Sequence, residues 1–273
     1  MMGRYGVIGN PIGHSLSPLI HQGWLEDLKI QTTYEPIHVD DDCFDQAIES
    51  LQSEGFVGLN ITLPHKHNAL ELSHQASRTA RVVGAANTLS LKRDEGWSAD
   101  NTDVPGFLAA LAGLGVKDLP DKRVTVLGAG GSARAVVFAL GQAGVETTIL
   151  NRTVSKAEAL SIELTDNKAA YGALDQLADE CLGSDLVVNT TSGGYTGDII
   201  DLPNGGGRLF FDLSYGKTAK AQIDHARTAG WKTADGLTML VAQAAESFRI
   251  WFDQMPDTQI ALDRCAKAVR ESK

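Results

Sequence analysis

Two short stretches of this chain carry side chains able to move a proton at a carbon–oxygen bond. Pro64-His65-Lys66 closes an apolar, strand-like run, and Asp100-Asn101-Thr102-Asp103 forms a polar turn ahead of a glycine-rich segment beginning at Gly128. Together they deliver one ammonium, Lys66, and one carboxylate, Asp103, to the edge of a nucleotide-binding unit. A proton donor or acceptor, a partner that orients it and a cofactor cradle are the parts that hydride transfer at a polar alcohol requires.

A lysine in the first turn of a helix is ordinarily a solvated side chain. The helix dipole also disfavours a cation at that end. Lys66 therefore sits at an electrostatic cost, which is a modest hint of function. A further polar set gathers around it. Gly9-Asn10-Pro11-Ile12-Gly13-His14-Ser15-Leu16-Ser17-Pro18 is a turn-rich loop after the first strand, where open α/β sheets bind ligands. Ser15 and Ser17 are two residues apart, so their hydroxyls could reach a common anion. Asn60 and Thr62 end the third strand on the same rim, and Asn87 and Asp103 arrive from later loops. Hydroxyls, amides and one carboxylate suit a polyhydroxylated small molecule better than an apolar one. Taken singly, each of these residues could equally be a cap or a turn former, Ser17 above all.

The glycine-rich segment, Gly128-Ala129-Gly130-Gly131-Ser132-Ala133, fits G-x-G-x-x-A between the apolar strand Arg123–Leu127 and a helix. In that context Gly128 allows the tight turn and Gly130 lets backbone approach a pyrophosphate. Ala133 keeps helix and sheet close, and the helix N-terminus faces the phosphates. After the next strand, where an NAD site carries an acid, this chain has Asn151-Arg152-Thr153 with Lys156 one turn on. Arg152 can pair with a 2′-phosphate and stack on adenine, and Asn151 and Thr153 can donate hydrogen bonds. The expected cofactor is NADP(H). Thr153 is also placed to cap the following helix.

Other chemistries are poorly supplied. His14, His65 and His67 have no supporting acid pair, so no metal site is expected. No G-x-S-x-G elbow occurs. Cys43, Cys181 and Cys265 contain no CxxC pair and read as reduced thiols of a cytoplasmic protein. The balance of 24 lysines and arginines against 34 aspartates and glutamates, −10, argues against nucleic acid or an anionic membrane as partner. Met1-Met2-Gly3-Arg4 enters a strand at once, without a signal-peptide pattern, and no apolar run approaches a bilayer span.

The elements that must position these residues alternate in type along the 273 residues, as in parallel α/β architecture, and the length favours two domains. Strands are predicted at Tyr5–Ile8, Tyr34–Val39, Phe56–Thr62, Arg123–Leu127, Glu146–Leu150, Asp185–Val188 and Leu209–Phe211. Another strand follows a turn within Val83–Lys92. Helices are predicted at Ser17–Leu28, with Ser17 as N-cap, at Asp42–Ser53, at Asp103–Leu114 and after Gly128. In the helix after Gly128, Ala133, Val137 and Leu140 share a face. Two helices close the chain, one burying Ala245, Phe248 and Phe252, the other Leu262, Ala266 and Val269.

With these motifs in this order over nearly its whole length, the chain resembles the shikimate dehydrogenase family. The shared segments are Gly9-Asn10-Pro11 with His14–Pro18, Asn60-Ile61-Thr62-Leu63-Pro64-His65-Lys66, Gly84-Ala85-Ala86-Asn87-Thr88, and Asn101-Thr102-Asp103 with Gly106. They continue through the Gly128 fingerprint, Asn151-Arg152-Thr153, Asn189-Thr190-Thr191-Ser192, Asp212 with Tyr215, and Gly236-Leu237 followed by Gln243-Ala244-Ala245. The resemblance implies NADPH-dependent reduction of 3-dehydroshikimate to shikimate. It implies Lys66 as acid/base with Asp103 as partner, Ser15 and Ser17 on the substrate carboxylate, and Asn60, Thr62, Asn87, Tyr215 and Gln243 around the ring. On the cofactor side it implies Arg78, Thr190, Leu213, Gly236 and Met239 beside the fingerprint residues.

The fold so implied has an N-terminal α/β substrate domain with a mixed, mostly parallel sheet (1–102, completed by helices in 237–273) and a Rossmann-type NADP domain (103–236), with the site in a cleft between them. A monomer or homodimer is expected. Gln22, Tyr195, Lys217, Thr238 and Ala242 depart from the family's usual residues, and Thr238 puts a Cβ in a stretch that lies near the nicotinamide in the family. Two further readings stay open: a quinate/shikimate dehydrogenase with relaxed substrate and cofactor use, and a non-catalytic NADP-binding regulator.

Overall fold

The structure, a computed structural model, describes residues 3–92 and 94–271. Met1 and Met2 of the expected N-terminal segment, and Ser272 and Lys273 at the other end, lie outside the described residues. By its internal contacts the chain divides into two units, Met1–Gly106 with Leu240–Lys273, and Phe107–Met239. Each boundary falls a few residues beyond the ones expected, inside a helix. A helix is a continuous rod, so its first turn can belong to one unit and its body to the other.

In chain order the first unit contains β1 (Arg4–Gly9), α1 (Ser17–Asp27), β2 (Tyr34–His38), α2 (Phe44–Ser53), β3 (Phe56–Ile61), α3 (Lys66–Leu72), β4 (Gln75–Ala76), α4 (Arg78–Val83), β5 (Thr88–Lys92) and β6 (Gly96–Asp100), and α5 (Asp103–Gly113) starts in it. The sheet order is β2-β1-β3-β5-β6-β4. β1 runs parallel to β2 and β3, β5 is antiparallel to both β3 and β6, and β4 is parallel to β6. One face buries Ile8, Phe44, Ile48, Phe56, Leu59, Ile61, Leu89 and Trp97 in a continuous apolar cluster. β6 was not anticipated. Buried Trp97 and Ala99 alternate there with half-buried neighbours, a period-two signal too short to separate from a loop.

The second unit holds β7 (Arg123–Leu127), α6 (Gly131–Gln142), β8 (Glu146–Leu150), α7 (Val154–Thr165), β9 (Ala170–Gly172), α8 (Leu177–Gly183), β10 (Leu186–Asn189), α9 (Gly193–Thr196), β11 (Leu209–Asp212), α10 (Lys217–Thr228) and β12 (Lys232–Ala234). Its sheet is wholly parallel in the order β12-β11-β10-β7-β8-β9. The order reverses next to β7, the switch point at which doubly wound sheets bind nucleotides. Val124, Val126 and Leu127, and Leu186, Val187 and Val188, are all buried, as expected of strands covered on both faces. In α6 the predicted Ala133, Val137 and Leu140 are fully buried, together with Ala135, Val136 and Ala139.

α11 (Leu237–Phe252) and α12 (Thr258–Glu271) return the chain to the first unit. In α11, Phe248 is fully buried, and Trp251 packs tilted against Tyr5 with ring centroids 5.2 Å apart and donates from its indole N–H to the Leu89 carbonyl (3.1 Å). In α12 the buried positions are Ala261 and Cys265, while Leu262, Ala266 and Val269 are only half-buried. The packed face is thus rotated from the predicted one. α12 is tied to α1 by Arg264, which pairs with Asp27 at 2.7 Å. Trp24 of α1 also donates to the Asp257 carbonyl (2.8 Å) just ahead of α12. Small residues at 261 and 265 suit such an approach better than Leu262 would.

Candidate active site

Lys66 is the first residue of α3, and its surroundings are fixed before its side chain is considered. His65 is fully buried, stacks on Phe44 at 4.9 Å, and donates from Nε2 to the Val39 carbonyl (2.8 Å). The Lys66 carbonyl accepts from the Ala86 N–H (2.8 Å). Asp103 opens α5, where a carboxylate is favoured by the helix dipole. Asn101, just before it, donates to the Ala85 carbonyl (2.8 Å) and accepts from the Val104 N–H (3.3 Å).

From these anchors the two side chains meet. Lys66 Nζ donates to Asp103 Oδ2 at 2.6 Å, with side-chain exposures of 12% and 7%. Pairing of this kind offsets the cost of a cation at a helix N-terminus. The other carboxylate oxygen, Asp103 Oδ1, accepts from Asn87 Nδ2 at 2.9 Å. Gln243 of α11 reaches the same Asn87 amide through Oε1 (3.2 Å). A Cβ added to Gly106 would lie 2.6 Å from Gln243 Cβ, so only glycine there allows α11 this close to the start of α5.

The other expected substrate residues fall into three groups. Ser15 is half-buried and its Oγ accepts from the Ser17 N–H (3.2 Å). Leu16 occupies the N-cap position of α1 without a side-chain cap bond, so Ser15, one residue before it, serves the first helical N–H. Ser17, the expected cap, is the first helical residue and is buried. Thr62 is half-buried just past β3. Asn60, expected on the rim, is instead 5% exposed and engaged internally: Tyr34 donates to its Oδ1 (2.8 Å), while its Nδ2 faces the Asn87 carbonyl (3.1 Å) and Ser247 Oγ (2.9 Å). An amide so occupied supports the site rather than facing a ligand. Tyr215 lies in the second unit, just before α10.

Sequence reasoning missed Tyr34, Thr88, Thr102 and Ser247, which fill the space under Asn87. Asn60 and Thr88 are directly opposite partners across β3 and β5, so they share a face. Two polar residues sharing one face of paired strands were the available signal. His21 of α1, fully buried, stacks on Tyr34 at 4.2 Å. Burial pushes its pKa down to about 3, and the Asn60 side chain works weakly the other way.

The cofactor half belongs to the second unit. Gly128 has φ +105°, and a Cβ there would lie 2.6 Å from Thr190 Oγ1. Thr190 in turn donates to the Leu127 carbonyl (2.7 Å). Gly130 is the N-cap of α6, and a Cβ on it would meet no protein atom within 4 Å. Gly131 and Ser132 open the helix, whose first N–H groups have no partner within it.

Beside this turn lies a cavity of about 170 Å³ lined by Ala129, Gly130, Asn151, Arg152, Thr153 and Lys156. Open space over Gly130, helix N–H groups, and a cavity with two cations and no carboxylate fit a pyrophosphate and a 2′-phosphate. Thr153 occupies the N-cap position of α7 without a side-chain cap bond; Asn151 donates to its carbonyl (2.9 Å). Leu213 donates to the Asn189 carbonyl (2.9 Å) and Gly236 to the Ser214 carbonyl (2.8 Å). Met239 is buried, and the hydroxyl of Thr238 is buried without a hydrogen-bond partner. Arg78 is exposed at the start of α4 in the first unit.

Among the described residues, no group of three or more His, Cys, Asp or Glu is placed to hold a metal, and no helix is long and apolar enough to cross a membrane.

Comparison with known proteins places these two halves. Residues 7–89 match the family described as shikimate dehydrogenase substrate binding domain, 110–235 the shikimate / quinate 5-dehydrogenase family, and 236–264 the shikimate 5′-dehydrogenase C-terminal domain. The shikimate dehydrogenase (NADP(+)) of Hyphomonas neptunium is 46% identical, with 97% of each chain covered. The shikimate 5-dehydrogenase of Thermus thermophilus, solved in complex with NADP(H) and shikimate, is 32% identical with a TM-score of 0.85, covering 98% of this chain and all of that one. A further shikimate dehydrogenase, solved with NADP+, is 28% identical with a TM-score of 0.86, covering 98% of this chain and 96% of that one.

Proposed function

This chain belongs to the shikimate dehydrogenase family, and from that premise we propose how its residues perform the reaction. The activity is that of an NADP-dependent oxidoreductase acting on a CH–OH group, the reversible reduction of 3-dehydroshikimate to shikimate in the shikimate pathway that leads to chorismate and the aromatic amino acids. NADPH, when bound, supplies the hydride that adds to C3. Lys66 gives a proton from its ammonium group to the C3 oxygen as the ketone becomes an alcohol, and recovers it in the reverse direction. Asp103 accepts a hydrogen bond from that hydroxyl through one oxygen and holds Lys66 with the other.

The observation that carries this assignment is the 2.6 Å contact of Lys66 Nζ with Asp103 Oδ2, both largely withdrawn from water. The Ser15 hydroxyl, whose oxygen already accepts the Ser17 N–H, is left to donate, and with Ser17 it takes the substrate carboxylate. Thr62, Asn87, Gln243 and Tyr215 bind the ring hydroxyls and ring edge, with Asn60 holding Asn87 from behind. The Gly128–Ser132 turn takes the pyrophosphate, and Asn151, Arg152, Thr153 and Lys156 take the 2′-phosphate. Arg78, Thr190, Leu213, Gly236 and Met239 complete the cofactor contacts. The protein works in the cytoplasm as a monomer or homodimer on this small-molecule substrate.

Reduction of NADP⁺ by shikimate, followed at 340 nm and repeated with NAD⁺ and with quinate, tests the reading. Shikimate with NADP⁺ is the expected best pair; comparable rates with quinate would favour the relaxed enzyme, since the family matched over 110–235 covers both activities. In the same assay Lys66→Ala is expected to lower kcat by about 10²–10⁴ with KM little changed. A near-normal turnover number would remove Lys66 from the mechanism.

A further inference from the structure

Ser247 lies in the middle of α11 and is fully buried. A buried serine inside a helix gains nothing over alanine unless its hydroxyl is bonded. Here Oγ lies 2.8 Å from Thr88 Oγ1, 2.9 Å from Asn60 Nδ2, 3.1 Å from Thr102 Oγ1 and 3.1 Å from the Gln243 carbonyl. This one hydroxyl thus joins two sheet residues, a loop residue and its own helix.

We infer that Ser247 is a positioning residue for the reaction, setting the orientation of the Asn87 amide and through it the presentation of Asp103. The inference rests on the roles proposed above for Lys66 and Asp103. Two backbone groups fix the directions. The Thr102 N–H donates to Asn87 Oδ1 (2.7 Å), so the Asn87 nitrogen must face Asp103. The Asn87 carbonyl accepts from Asn60 Nδ2 (3.1 Å), which turns that nitrogen, with its second hydrogen, toward Ser247. The hydroxyls of Thr88 and Thr102 stand between Ser247 and Asn87, each 3.2 Å from Asn87 Oδ1.

Remove the serine hydroxyl and Asn60, Thr88 and Thr102 each lose a partner in a site closed to water. The groups left within their reach are one another, Asn60 Nδ2 with Thr88 Oγ1 at 3.2 Å and Thr88 Oγ1 with Thr102 Oγ1 at 3.4 Å, and the Asn87 amide oxygen at 3.2 Å from both hydroxyls, so the bonds redistribute onto Asn87. The Lys66–Asp103 contact itself can survive this; what shifts is the angle at which Asp103 meets the reacting hydroxyl.

The test compares Ser247→Ala and Ser247→Cys with the parent protein in shikimate oxidation by NADP⁺, correcting for the folded fraction by thermal unfolding and by NADPH titration. Alanine is expected to lower kcat about ten-fold with both KM values changed less than about three-fold, the pattern of a lost transition-state interaction. Cysteine fills the space with a somewhat larger atom but bonds weakly, so it is expected to stay impaired. A Ser247→Ala protein with kcat within about two-fold of the parent, a full recovery by cysteine, or a change confined to KM overturns the inference and leaves Ser247 a packing residue. Should Ser247→Ala fail to fold, Thr88→Val is read by the same criteria. Lys66→Ala run alongside separates the two levels. If it remains active, the assigned roles themselves fall; if it is dead while Ser247→Ala is unimpaired, only the positioning role falls.

Discussion

Asn87 donates an amide hydrogen to Asp103 Oδ1 at 2.9 Å, on the oxygen that does not hold Lys66. The carboxylate is therefore gripped from two sides, by a neutral donor and by a cation. Its rotation about χ2 is fixed before any substrate arrives. Preorganisation of this kind is where an active site gains most over water.

Asn87→Asp keeps the shape and the acceptor for the Thr102 N–H but replaces the donor with a second negative group against Asp103. Loss of a hydrogen bond to a charged group is worth about 1.5–3 kcal/mol, and repulsion adds to it. Steady-state kinetics are expected to show kcat/KM down by about 100-fold or more, with a larger loss than in Asn87→Ala. An aspartate variant more active than the alanine variant would contradict the orientation given to this amide.

Gly106 and Gln243 make a second, purely steric prediction. A Cβ at position 106 would meet Gln243 Cβ at 2.6 Å and its backbone nitrogen at 2.8 Å. Backbone cannot rotate away as a side chain can, so Gly106→Ala must separate the α11 backbone from α5. The expected cost is about 1–3 kcal/mol of stability, measured by urea unfolding, together with a loss of shikimate affinity because Gln243 moves with the helix.

The proposed contact of Arg152 with the 2′-phosphate predicts how cofactor choice changes without it. In Arg152→Ala the cavity beside Gly130 retains Lys156 but loses the planar, bidentate cation. KM for NADP⁺ is expected to rise about 10–100-fold, while the rate with NAD⁺ stays within about three-fold of its starting value. Equal losses with both cofactors would mean that Arg152 reads the adenine rather than the phosphate.

Stability should fall on acidification, and His21 gives the sign. Its pKa is lowered from 6.5 to about 3 by burial, so the folded protein holds the ring neutral. Above pH 6.5 neither state takes up the proton and the contribution is complete. As pH falls toward 3 the unfolded chain binds a proton that the folded chain refuses, and stability drops by about 1.4 kcal/mol per pH unit from this group. Urea unfolding at pH 7, 6 and 5 is expected to show this slope in the parent protein. A His21→Phe variant, which keeps a ring against Tyr34, is expected to lack it.

Much of this was legible from residue order. The Gly128–Ala133 turn, the basic segment after β8 and the strand–turn preceding Lys66 are local patterns, and local backbone requirements act within a few residues. What local pattern handled less well is instructive. Asn60 reads as a rim residue because it ends a strand beside a loop, yet the cross-strand register opposes it to Thr88 beneath α11 and buries it. The packed face of α12 reads as the larger side chains Leu262 and Val269, yet close approach to α1 selects Ala261 and Cys265. Ser17 reads as the cap of α1, yet the helix begins one residue earlier, so that Ser17 is its first helical residue and Ser15 supplies the oxygen that its N–H meets.

Sequence alone determined the alternating architecture and the cofactor class, because each of those is written in patterns over a turn or a strand, and it supplied the residues to which the chemistry is assigned here as a proposal. Tertiary structure decided which groups touch: Lys66 with Asp103 across 37 positions, Asn87 with Gln243 across 156, and Ser247 with Asn60 across 187. Such meetings depend on strand register and on how closely one helix can lie against another. Register is set by the burial of whole faces, and helix approach by the few glycines and small residues that permit it, so neither can be read from the residues that finally meet.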